Sequence, residues 1–229
     1  MQPSVVRRGL LLLTLFLVSA PAVAGPIIFE ASGTAADGRP DNGRATFTIS
    51  ATSIRIVLEN TAGVGQLGGI SSVLDGISFV LTGGSPVNLA LSSVASAAGA
   101  LDCTAGNALC TPIALPASPF EWLFNASTFL LAPNGLKPYG IVNSNITGNT
   151  DGVRNAQHNP YLLGPVTFTI NFSGVAPTDV SAATFLFGTV PDRQTGDRVP
   201  GPVVPEPASL LLVGTGLLAG FRRWRRRRA

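Results

Sequence analysis

Residues 45–58, ATFTISATSIRIVL, determine the fold class that we expect for this chain. Apolar side chains occupy alternate positions in residues 45–49 and again in residues 54–58. Successive side chains of a strand point to opposite faces, so each segment predicts a strand with one buried face and one wetter face. The residues between the two segments, 50–53, predict a hairpin connection.

Short segments with the same alternation recur through the chain, separated by turn-forming residues. The chain contains 26 glycines and 18 prolines, only 12% of its residues are charged, and helix periodicity is hard to find. This pattern predicts an all-β protein, with a single β-sandwich domain of jelly-roll type. The other predicted strands are residues 27–31, 77–81, 87–91, 120–124, 128–131, 166–172 and 183–187.

The N-terminal residues have the pattern of a secretory signal peptide. Two arginines precede the apolar stretch 10–18, and small residues follow at the spacing that a signal peptidase reads. A proline at position 21 interrupts the stretch before it reaches the ~20 apolar residues that a membrane span requires. We therefore expect residues 1–24 to be removed, with cleavage marked by Ala22, Ala24 and Gly25.

A second apolar segment, residues 208–221, lies near the C-terminus. Its 14 residues would span about 21 Å as a helix, so a short transmembrane helix needs help from its flanks. Arginine side chains can reach anionic headgroups. Clustered positive charge stays on the cytoplasmic side, so the preceding domain is expected on the opposite side of the membrane. The cluster consists of Arg222, Arg223, Arg225, Arg226, Arg227 and Arg228.

Residues 204–210, VPEPASL, followed by a glycine-punctuated apolar stretch and the arginine cluster, resemble the PEP-CTERM sorting signal of Gram-negative bacteria. The resemblance implies that an exosortase, a membrane-embedded protease, recognises Pro205, Glu206 and Pro207 and removes the tail. The same tail has been named after the C-terminus of some ice-binding proteins, a label that says nothing about the body. The expected organisation is a signal peptide (1–24), an exported β-domain (25–199) and a sorting tail (200–229).

The sequence also resembles PEP-CTERM proteins at residues 148–170, GNTDGVRNAQHNPYLLGPVTFTI. That stretch occurs in many such proteins that have no established activity, and the resemblance brings no catalytic residue with it. Residues 136–165 as a whole are rich in Asn, Gly and Pro and predict one extended loop.

Charge excludes a nucleic-acid-binding body. Of the 15 cationic residues, two lie in the signal peptide and six in the tail, which leaves seven, whereas 11 of the 12 acidic residues lie in the body. A body with a net charge of about −4 offers no basic groove for nucleic acid. The arginine run belongs to the tail and its membrane role.

The two cysteines, Cys103 and Cys110, are close in sequence and belong to an exported segment. Those facts predict a local disulfide, which would contribute about 2.5 kcal/mol by closing a short loop. The spacing is not Cys-x-x-Cys and no further metal ligands lie nearby. A redox or metal pair is therefore the disfavoured alternative.

Asn145, Asn149 and Asp151 are candidate oxygen ligands for Ca²⁺ in the predicted loop. The pattern departs from an EF-hand loop, which opens with carboxylates and ends in Glu. The alternative is a turn-rich loop whose Asn and Asp side chains cap their own backbone. No other metal and no cofactor are expected.

Common catalytic motifs are incomplete in this chain. Residues 63–68, GVGQLG, fit the dinucleotide-binding motif G-x-G-x-x-G. Residues 69–72, GISS, continue the turn-forming segment at the point where that motif requires a helix to begin. His158 is the only histidine, which excludes HExxH, and its flanks favour a turn residue. The sequence does not decide whether two carboxylates form a catalytic pair for glycoside hydrolysis, since the distance between them in the fold is not visible in the sequence.

These features predict an exported, non-enzymatic surface or extracellular-matrix protein. Its expected partners are signal peptidase and an exosortase as processing enzymes, the inner membrane transiently, and extracellular polysaccharide, with no nucleic acid. The expected location is the cell surface or the medium after tail removal. A carbohydrate- or ice-binding module is the alternative, and a carboxylate-based hydrolase is the least favoured.

Overall fold

The computed structural model describes residues 25–35, 37–63, 69–104, 110–115, 121–134, 139–144, 146, 152–188 and 192–199. Within them the chain is built of strands, with one 3-10 turn at Ile70–Ser72. The strands are β1 (Ile27–Thr34), β2 (Pro40–Ile49), β3 (Ser53–Asn60), β4 (Leu74–Thr82), β5 (Ser85–Ser96), β6 (Ala100–Asp102), β7 (Thr111–Ile113), β8 (Trp122–Asn125), β9 (Leu130–Pro133), β10 (Ile141–Val142), β11 (Tyr161–Leu163), β12 (Val166–Val175), β13 (Asp179–Phe187) and β14 (Asp192–Val199).

The predicted hairpin of residues 45–58 is confirmed as the pairing of β2 with β3. Phe47 lies opposite Ile56 and Ile49 opposite Ile54. The connection is a tight turn in which the Ser50 amide donates to the Ser53 carbonyl at 2.9 Å. Every other segment predicted as a strand also contains or overlaps a strand of the structure.

All described strands belong to one hydrogen-bonded sheet. Its order is β5-β12-β3-β2-β1-β14-β13-β4-β10-β11-β6-β7, and β9 attaches the β8–β9 hairpin to β4. A β-sandwich of the predicted kind has two sheets, whereas here β14 pairs with β1 on one side and with β13 on the other. The all-β class is confirmed, and β14 makes the two expected sheets continuous.

The sheet curls until distant strands face each other across one core. Phe47 on β2 and Phe79 on β4 are four strands apart in the sheet order, about 19 Å along a flat sheet. Their ring centroids nevertheless lie 5.3 Å apart. Trp122 on β8 likewise packs 4.6 Å from Phe168 on β12. The apolar faces of the alternating strands are therefore buried against one another.

Two glycines permit this close approach. A Cβ on Gly43 would lie 2.9 Å from a ring carbon of Phe185, and a Cβ on Gly196 would lie 2.6 Å from another carbon of the same ring. Real Cβ contacts are essentially never shorter than 3.0 Å. The glycine in β14 thus makes room for an aromatic side chain of β13, its neighbour.

We call β12, β3, β2 and β1 the regular ladder, because they are long and pair over many residues. The irregular flank consists of the short strands β6, β10 and β11. β10 and β11 lie inside residues 136–165, so the prediction of one extended loop there was wrong in part. Val153 and Tyr161 from that segment are fully buried in a second apolar cluster that also includes Val73, Leu101, Cys103 and Val142.

Candidate functional site

Most of the tail and signal residues singled out in the sequence lie outside the described part of the chain. They are Ala22 and Ala24, the motif Pro205, Glu206 and Pro207, the segment 208–221, and Arg222, Arg223, Arg225, Arg226, Arg227 and Arg228. Gly25 is the first described residue. In the ranges that the structure describes, no helix has the length and apolar character of a membrane span.

The two ends of the body lie side by side in the sheet. β1 and β14 are antiparallel, and Ile28 lies opposite Val199. The predicted cleavage point before Gly25 and the start of the tail after Val199 therefore leave the sheet at the same end. β14, the last described strand, is held between β1 and β13 and runs up to the boundary at which the sequence predicts the tail to begin.

A polar groove of about 450 Å³ lies across β1, β2 and β14, on the face of the sheet opposite the core. Side chains of these strands alternate between the core and the outer face, and the groove collects the outer set. Its polar lining includes Glu30, Ser32, Asn42, Arg44, Thr195 and Asp197.

A row of three charged side chains crosses the groove. Glu30 lies opposite Arg44 on β2 and opposite Asp197 on β14. The Arg44 Nε and Glu30 Oε1 atoms are 3.5 Å apart, and the two side chains are 42% and 51% exposed. Such a solvent-exposed pair contributes at most about 1 kcal/mol to stability. Two carboxylates facing each other on one sheet face are unfavourable for folding, so this row is not explained by stability.

Two polar atoms at the groove have unused hydrogen-bonding capacity. The Asn42 Oδ1 and Arg44 Nε atoms are buried and make no hydrogen bond to any described residue. The contact of Arg44 Nε with Glu30 is an ion pair, not a well-formed hydrogen bond. A buried polar atom without a hydrogen bond is costly for folding, and these two atoms are closed to solvent, so the groove is built from the exposed atoms of the same side chains and their neighbours.

A second polar cluster is structural. The Asn60 Nδ2 atom donates to the carbonyls of Ser72 at 2.7 Å and Ile141 at 3.3 Å, while its Oδ1 accepts from the Ala62 amide at 3.1 Å. Asn60 is 2% exposed, so these bonds replace water for backbone groups of the 3-10 turn, of β10 and of the residues that follow β3. This one side chain thereby joins the regular ladder to the irregular flank.

Buried titratable groups lie beside that cluster. Burial raises the pKa of Asp75 well above its usual range. Burial also raises the pKa of Tyr161, with a further contribution from Asp75. The Tyr161 hydroxyl donates to the Val153 carbonyl at 3.1 Å. Tyr161 is fully buried among the described residues, and its hydroxyl bond to Val153 holds the two residues together in the second apolar cluster.

Cys103 and Cys110 are joined by a disulfide, with Cα atoms 4.3 Å apart, in agreement with the predicted pairing. Cys103 is buried, and its amide donates to the Asn159 Oδ1 atom at 2.7 Å. The pair therefore anchors its loop to the segment before β11. The arrangement places the disulfide in a structural role.

The calcium candidates Asn145, Asn149 and Asp151 lie outside the described residues. Within the described ranges, no three His, Cys, Asp or Glu side chains are grouped closely enough to hold a metal ion. His158 lies in a turn in which its amide donates to the Asn155 carbonyl at 2.9 Å, as its flanks predicted. After residues 63–68 the chain forms the 3-10 turn and then β4, so no helix follows to bind a pyrophosphate.

The groove residues were missed by sequence reasoning. Glu30, Arg44 and Asp197 come from three strands, and only the pairing of β14 with β1 brings the last of them to the others. The only available signal was the alternation of polar residues with apolar ones in β1 and β2.

Comparison with known proteins identifies the tail. The family model described as the PEP-CTERM protein-sorting motif matches residues 203–228, as the resemblance in the sequence predicted. No curated protein and no solved structure matches the chain. The motif implies export, transient membrane anchoring toward the cell surface, and processing by an exosortase.

Proposed function

We propose that this chain is a non-enzymatic surface or extracellular-matrix protein that an exosortase releases by removing its tail. The observation that carries the proposal is the position of the PEP-CTERM motif, which begins at residue 203, four residues after β14 ends at Val199. Cutting after the sheet leaves every described strand in the released body. Signal peptidase acts first, before Gly25, and extracellular polysaccharide is the proposed environment of the product.

The tail is proposed to act as a temporary anchor. Residues 208–221 form the short membrane helix, and the six arginines hold its cytoplasmic end. Two prolines fix their φ angles near −65° and withhold two amide donors, so Pro205-Glu206-Pro207 stays extended outside that helix. A membrane-embedded protease can reach an extended segment, and Glu206 supplies the recognition charge.

The test of this proposal is Glu206→Ala in the native host. Export should continue, but a tail-bearing, membrane-associated form should accumulate, which mass spectrometry of envelope and medium fractions would detect. Glu121→Ala makes the same change in the body and should leave trimming at its normal rate. If Glu206→Ala protein is trimmed and released like the unchanged chain, the sorting role of this motif is wrong.

A hydrolase is the alternative that one observation favours. Glu30 and Asp197 are neighbours across two strands and line one groove, and paired carboxylates are what glycoside hydrolysis requires. A general acid of this kind is normally kept protonated by a buried, apolar setting. Both of these side chains are exposed, which supports binding over catalysis.

A further inference from the structure

The groove across β1, β2 and β14 combines hydrogen-bond donors with acceptors. Glu30 and Asp197 are carboxylates and only accept when ionised, whereas the Arg44 guanidinium only donates. Asn42, Ser32 and Thr195 can do both. A complementary ligand must therefore offer donors and acceptors in close alternation.

Some charged groups of the groove lining lack a well-formed partner within the described structure. Asp197 makes no ion pair with any described residue, and Arg44 meets Glu30 only at 3.5 Å, through Nε. Asp197 also faces Glu30, a like charge, on the same side of the sheet. A ligand that donates to both carboxylates would offset this pairing of like charges across the strands.

Charge and shape limit the kind of ligand. Two carboxylates and one guanidinium give the lining a net negative charge, which repels anions. The charged row crosses three adjacent strands, about 10 Å, so an extended ligand can touch all of it. Hydroxyl groups both donate and accept, and they carry no charge.

We propose that this groove binds an uncharged, hydroxyl-rich glycan chain. Vicinal hydroxyls donate to Glu30 and Asp197, and Arg44 donates to a ring or hydroxyl oxygen. Ser32 and Thr195 offer hydroxyls that complete the hydrogen bonding of the chain. No aromatic residue is among the described lining residues, and Ala31 and Val199 add apolar surface beside the polar side chains. The site is independent of tail processing, so the Glu206→Ala result does not affect it.

The test uses the full chain, purified from host membranes in detergent, on an array of neutral oligosaccharides and uronic-acid oligosaccharides. We expect binding to at least one neutral class and weaker or no binding to the acidic set. Arg44→Gln and Asp197→Asn should each weaken that binding about tenfold, because each removes a charge-assisted hydrogen bond. Glycan recovered after incubation should keep its length.

Two control variants match the charge changes outside the groove. Arg55→Gln lies on the same face of the sheet, where its guanidinium donates to Thr167, and Glu121→Gln precedes β8. Each should change the affinity less than twofold. Absence of binding to every neutral glycan, preference for acidic chains, or unchanged affinity in both Arg44→Gln and Asp197→Asn would overturn the proposal. Shortened glycan would replace binding with hydrolysis.

Discussion

The regular ladder and the irregular flank are parts of one sheet that are held by different interactions. In the ladder, Phe47, Ile54, Ile56 and Phe168 are fully buried, and long strands supply their own backbone partners. In the flank, the strands have two or three residues, and side chains satisfy some of their backbone groups: Asn60 donates to the Ile141 carbonyl and Ser96 to the Leu163 carbonyl.

That difference shows where polar side chains become necessary in a core. A long alternating strand buries one face and completes its hydrogen bonds in the same step. A short strand ends before its backbone groups are paired, and each unpaired buried group costs about 1–3 kcal/mol. The flank therefore depends on a few specific residues, whereas the ladder depends on many similar ones.

The largest expected effect is on the ladder. Phe47→Ala should lower the free energy of unfolding by about 4 kcal/mol, because it removes a fully buried ring from contact with Phe29 and Phe79. Urea unfolding followed by tryptophan fluorescence would measure the loss. Leu123→Ala, at a position 57% exposed, should change stability by less than about 0.5 kcal/mol. Equal effects of the two would contradict the single curled core.

A smaller loss is expected where the ladder meets the flank. Asn60→Ala should cost about 2–3 kcal/mol, because the Ser72 and Ile141 carbonyls and the Ala62 amide lose their partner in a buried site. Hydrogen exchange should increase mainly in β10 and the segment 60–62. Asn171→Ala makes the same change on an exposed face of β12 and should be nearly neutral. A loss no larger than that of Asn171→Ala would show that the flank does not rely on this side chain.

A further expected effect is a pH dependence at Asp75 on β4, the strand that pairs with β10 of the flank. Burial raises the pKa of Asp75, so the folded protein keeps a proton that the unfolded chain loses above about pH 4. Stability should therefore fall as pH rises from there toward the raised pKa, by at most about 1.4 kcal/mol per pH unit. Asp75→Asn should remove this slope in urea titrations from pH 4 to pH 8.

Asp179 provides a contrast of opposite sign. Hydrogen bonds from Arg198 lower the pKa of Asp179, so its contribution is present above the unfolded pKa and is lost as pH falls. Asp179→Asn should not change the fall in stability that Asp75 causes as pH rises. If Asp75→Asn also leaves it unchanged, the decline has another origin.

Sequence alone predicted the parts of the fold in which apolar alternation is strong. The hairpin of residues 45–58 and the strands β1, β4, β12 and β13 were predicted within a few residues. β14 was missed because its sequence, DRQTGDRV, contains a single apolar side chain, Val199. It is a strand because both of its edges are paired, which is a property of its neighbours.

Dependence on strand pairing also decides which of the two sites could be predicted from the sequence. The sorting motif is a contiguous string of residues, so it could be recognised without a structure. The groove joins residues 30, 44 and 197, whose proximity depends on the pairing of β1 with β14. The sequence predicts a loop where β10 and β11 lie, because strands of two or three residues are too short to show a period.

The central position of β14 affects the order in which the sheet can be completed. If the chain is exported N-terminus first, in keeping with a sorting motif at residues 203–228, residues 192–199 cross the membrane after the other described strands. Until they arrive, β1 and β13 each present an unpaired edge, which is a template for pairing with another chain. During that time a newly exported molecule is prone to pair its open strand edges with neighbouring chains. That interval ends as the last strand emerges, immediately before the sorting motif reaches the membrane.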